Sequence, residues 1–120
     1  MKCLLPLILL LTLSLSLRAE EVCPSDNPAY FCLPANKILN DELNEVNFYL
    51  IPNKVITLFY QEIVNSGGMV QLDARWESPF FGAGVSFNEG MFQLLIFGGT
   101  ARIAGMTEDA YAAVACHEVA

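Results

Sequence analysis

The run "ACHEVA", residues 115–120, contains the only histidine of the chain, His117, directly followed by Glu118. In the pattern H-E-x-x-H, two histidines share one face of a helix and hold zinc through neutral ring nitrogens. The glutamate between them takes a proton from the metal-bound water. Zinc lowers the pKa of that water and polarises the carbonyl under attack, so hydrolysis becomes feasible near neutral pH. His117 and Glu118 fill the first two places of the pattern, and Val119 and Ala120 are apolar fillers. A catalytic zinc needs three protein ligands and an open position. The reading therefore expects a second histidine at 121 and a third ligand farther on, and it treats residues 1–120 as the front part of such a site. Against it stands a blander reading, a histidine in a last helical turn that interacts mildly with the helix dipole and does no chemistry.

The element that must carry this pair is expected to be a helix. Thr107 is a good N-cap, Glu108 and Asp109 place acids in the first turn, and a run of alanines favours helix. Tyr111, Val114, Ala115 and Glu118 fall on one stripe, and Ala110, Ala113, Val114 and His117 on another. So many small residues predict a buried helix, in which a carboxylate needs a reason to be present. No glycine, proline or basic turn stops it.

Upstream, the hydrophobic period separates helices from strands. Asn40 can cap a helix with Asp41 and Glu42 in its first turn, with Leu39, Leu43, Val46 and Leu50 at helical spacing and Pro52 closing it. A second helix is expected over Asn53–Asn65, with Ile56, Phe59, Tyr60 and Ile63 on one face and Gly67-Gly68 at its end. The period then falls to two. Val70, Leu72, Ala74 and Trp76 alternate with Gln71, Asp73 and Arg75, and Phe81, Ala83, Val85 and Phe87 alternate again. "NEG" at 88–90 reads as a three-residue loop, and "MFQLLIF" as a more central strand ended by Gly98-Gly99.

With these elements in place, "IFGGTARIAGMTEDAYAAVACHEVA" resembles the stretch leading into the zinc helix of exported bacterial metallopeptidases of the zincin class. The matching residues are Gly98, Gly99, Ala101, Arg102, Met106, Thr107, Asp109, Cys116, His117 and Glu118, and the likeness covers about residues 67–120. The resemblance implies His117 as the first zinc ligand, Glu118 as the general base, zinc as the cofactor and a peptide or protein as the substrate. The second and third ligands of the family pattern are missing from this sequence, so the chain as it stands lacks what a working peptidase requires. Arg102 and the Gly98-Gly99 turn are read as structural, setting strand against helix.

The whole chain bounds these readings. Residues 1–19 have a lysine near the start, an apolar run from Leu4 to Leu17 and Ala19 at a cleavage point, the layout of a secretory signal peptide. No later segment is long and apolar enough to span a bilayer. After residue 19 four basic residues face all thirteen acidic ones, a net charge of −9, which repels phosphate backbones and argues against nucleic-acid binding. In an exported chain the close pair Cys23 and Cys32 is expected to form a local disulfide. Cys116 is then either a free thiol or half of a bond to a partner past residue 120. "NDELNE" at 40–45 lacks the alternating ligands and glycine of a calcium loop and reads as a solvated helix start. No serine triad is possible without another histidine, and "GAG" at 82–84 falls inside a strand rather than in a phosphate loop.

The expected architecture is α+β: residues 1–19 a signal, 20–36 an irregular disulfide-tied leader, and 37–120 a partial zincin-like domain. That domain has N-terminal helices, a small mostly antiparallel sheet and then the helix bearing His117 and Glu118. The competing expectation is a non-enzymatic exported binding module stapled by Cys23 and Cys32, which engages a partner through a sheet edge or an acidic face.

Overall fold

A computed structural model of the chain describes Cys23 and residues 32–120. The expected signal peptide and most of the expected leader lie outside the described residues. Cys23 and Cys32 are joined by a disulfide, with a Cα–Cα distance of 5.7 Å. The elements in order are α1 (Glu45–Leu58), α2 (Tyr60–Asn65), β1 (Met69–Arg75), β2 (Ala83–Asn88), β3 (Met91–Phe97), α3 (Gly98–Arg102) and α4 (Glu108–Val119). This is the α+β architecture that the sequence predicts.

Helix α1 starts later and runs further than its sequence indicates. Its cap is Asn44, whose side chain accepts from Val46 N and Asn47 N while Asn47 Oδ1 accepts from Asn44 N, a closed capping box. Asn40 is used elsewhere. Its Oδ1 accepts from Glu42 N and Leu43 N, and its Nδ2 donates to Ala101 O and Ile103 O at the far end of the chain. The later start turns the helix, so the buried face is Phe48, Ile51, Pro52 and Val55 rather than the expected stripe. Of that stripe only Leu43 is buried, and Leu39, Val46 and Leu50 are exposed.

Pro52 lies inside α1 instead of closing it. A proline in a helix interior normally leaves the carbonyl four residues back without its donor. Here that carbonyl belongs to Phe48, and it accepts at 3.0 Å from the phenolic hydroxyl of Tyr111 on α4. The helix tolerates its proline because a second helix supplies the missing hydrogen. Helix α2 closes as expected: Gly67 N donates to Val64 O and Gly68 N to Ile63 O.

The sheet has the order β1-β3-β2. β2 and β3 pair antiparallel from Ala83↔Ile96 to Asn88↔Met91. Their turn is the dipeptide Glu89–Gly90, both at positive φ (51° and 79°), the two-residue geometry that suits the twist of a hairpin. β1 and β3 pair parallel, from Met69↔Met91 to Arg75↔Phe97, so the sheet is mixed rather than mostly antiparallel. Alternation reports which face a residue takes and says nothing of strand direction. The direction follows from the connection 76–82, which carries the chain past the place of β3 before the hairpin returns it.

Helices α1 and α4 pack together over one face of the sheet. Fully buried Phe48 is the meeting point, stacked on Tyr111 at 5.7 Å and tilted against Trp76 at 5.3 Å. Leu94 and Ile96 of β3 complete this core with Ala101 and Ala115. Among the described residues, no helix is long and apolar enough to cross a membrane.

Candidate metal centre and the cleft beside it

Helix α4 forms where its residues predict, with Thr107 Oγ1 accepting from Ala110 N at 3.1 Å. Its start is held from outside as well: Glu42 Oε2 accepts from Glu108 N, and Asn47 Nδ2 donates to Glu108 Oε1. The helix is buried along one face only. Tyr111 and Ala115 are buried and Val114 and Glu118 half-buried, while Ala110, Ala113 and His117 on the other stripe are exposed. Adjacent residues of a helix point about 100° apart, so His117 and Glu118 face different surroundings. Cys116 is a half-buried free thiol. Among the described residues no group of three or more histidine, cysteine, aspartate or glutamate side chains is gathered as a metal site requires. The structure thus places the expected ligand and the expected base on one helix, and among the described residues no set of three donors forms around them. The described residues alone do not fit a catalytic zinc.

Glu118 borders an apolar cleft of about 420 Å³, within the size range of small-molecule sites. All three strands contribute to it, with Val70 from β1, Val85 from β2 and Phe92 and Leu94 from β3. Ile63 and Leu94 are its buried floor, and exposed Glu62 and Val85 stand at its rim. Two carboxylates therefore meet one apolar cleft, Glu62 from α2 and Glu118 from α4. The sequence reading missed Glu62 and the cleft. Its one trace was the neighbouring pair Phe59 and Ile63 on the predicted inner face.

The opposite end of the fold is organised around Arg102, which is fully buried. Its guanidinium donates to Leu33 O through Nε and Nη2, to Ser78 O through Nη2 and to Trp76 O through Nη1, and it lies 5.0 Å from the centre of the Trp76 ring. Burial lowers its pKa, with the nearby negative charge of Glu77 opposing the shift. The two glycines before it are required by the same close packing. A Cβ on Gly98 would collide with the Trp76 carbonyl, and one on Gly99 with the carbonyls of Pro79 and Phe80. Arg102 joins the disulfide-tied segment, the 76–82 connection and α3, which agrees with the structural role its position implies.

Comparison with protein-family models, with curated proteins and with solved structures finds no match.

Proposed function

We propose that this chain supplies the first ligand and the general base of an exported zinc-dependent peptidase, with the remaining ligands coming from outside the described residues. His117 is the ligand and Glu118 the base, and the substrate is a peptide or protein. The observation that carries this reading is the position of the pair late on a well-capped helix. The imidazole there is exposed and free to take a metal, and the carboxylate is half-buried beside a cleft wide enough for a substrate side chain. A bound zinc would supply an acidified water. Glu118 would accept its proton, and the cleft would orient the group under attack.

The test begins with the DNA past codon 120 and continues with the protein of that whole reading frame. Metal content is measured by mass spectrometry and peptide cleavage on a denatured protein substrate. The expected result is one zinc per chain, lost in His117→Ala and kept in Glu118→Gln, with cleavage lost in both. Zinc bound equally well by His117→Ala overturns the assignment. The competing reading is a non-enzymatic exported binding module stapled by the Cys23–Cys32 disulfide. It predicts a folded chain that neither takes up zinc nor changes its thermal midpoint when zinc is added.

A further inference from the structure

We draw no further inference here: the strongest candidate, the sheet face turned away from α1 and α4, where half-buried Leu95 and Phe97 lie beside the cross-strand row of Gln71, Gln93 and Ser86, is a surface patch for which nothing in the structure shows what covers it.

Discussion

The two ends of this molecule treat charge in opposite ways. At one end a guanidinium is fully buried, and its four hydrogen bonds all go to backbone carbonyls of segments far apart in sequence. At the other, Glu62 and Glu118 border an apolar cleft with no partner among the described residues. A buried charge that donates from all three of its nitrogens is a structural fastener, because removing it takes a donor from each carbonyl it holds. Carboxylates left open beside an apolar surface contribute little to the fold and are available to something outside it. The position of a charge is a poorer guide to its role than the question of what would be left unsatisfied without it.

The sharpest way to break this contrast is Arg102→Met, which keeps an apolar stem but takes their side-chain donor from the carbonyls of Leu33 and Trp76 and leaves that of Ser78 with the Gly99 N–H. It should destabilise the chain by about 4 kcal/mol, read as a lower urea midpoint at unchanged slope. Arg102→Lys should recover only part of the loss, since one ammonium cannot reach all three carbonyls.

Next in size is Tyr111→Phe. It removes the donor for the Phe48 carbonyl that Pro52 leaves open, at a cost of about 2 kcal/mol. In a Pro52→Ala background the backbone N–H returns to that carbonyl, so the same substitution should cost distinctly less, and the double-mutant cycle measures the coupling. Tyr111 also sets an alkaline limit. Burial raises its pKa above the ordinary 10.0, so the phenol stays protonated in the folded chain while the unfolded chain ionises. This share of stability is complete below pH 10 and is lost as the pH rises beyond it. In Tyr111→Phe that part of the alkaline loss should disappear.

A smaller effect is expected at Asp73, whose carboxyl is held below its usual range by a side-chain hydrogen bond from Arg75. A folded-state pKa below the unfolded one stabilises above the unfolded value of 3.8 and is lost as the pH falls through the folded one. The pair lies at the surface, so Asp73→Asn should cost at most about 0.5 kcal/mol at neutral pH, and less in high salt. Smallest of all are Glu62→Gln and Glu118→Gln, which should leave the unfolding midpoint within about 0.5 kcal/mol, because no contact is lost. A large destabilisation by either would erase the distinction between the two ends.

Much of the fold was legible in the residues. Thr107 and the acids after it placed α4, the Gly67-Gly68 pair ended α2, and the run of 91–97, apolar on both faces except at Gln93, marked the central strand. The failures share a cause, since each was decided by a partner distant in sequence. Pro52 reads as a helix end until Tyr111 is brought to Phe48. Asn40 reads as a cap because the carbonyls that its Nδ2 donates to, on Ala101 and Ile103, lie far along the chain. "NEG" reads as a three-residue loop until Asn88 is seen to pair with Met91. At the candidate site the sequence marked His117 and Glu118 but not Glu62, whose relevance exists only once α2 and α4 converge on the same cleft. The helix of small residues was read as buried, and half of it faces outward because only α1 and the sheet cover it.

The strand order has a consequence for how the chain reaches this state. Among the described residues β1 comes first along the sequence yet pairs only with β3, so within them it has no neighbour until the last strand exists. The hairpin of β2 and β3 closes locally and can form quickly, whereas the parallel pairing must wait for a longer loop to close. Phe97, the last residue of β3, is followed within five positions by Arg102, whose guanidinium reaches back to Trp76, the first residue after β1. The slowest pairing and the bond that latches it are therefore completed almost together. Until then both edges of β1 are open, where the finished sheet covers one of them with β3.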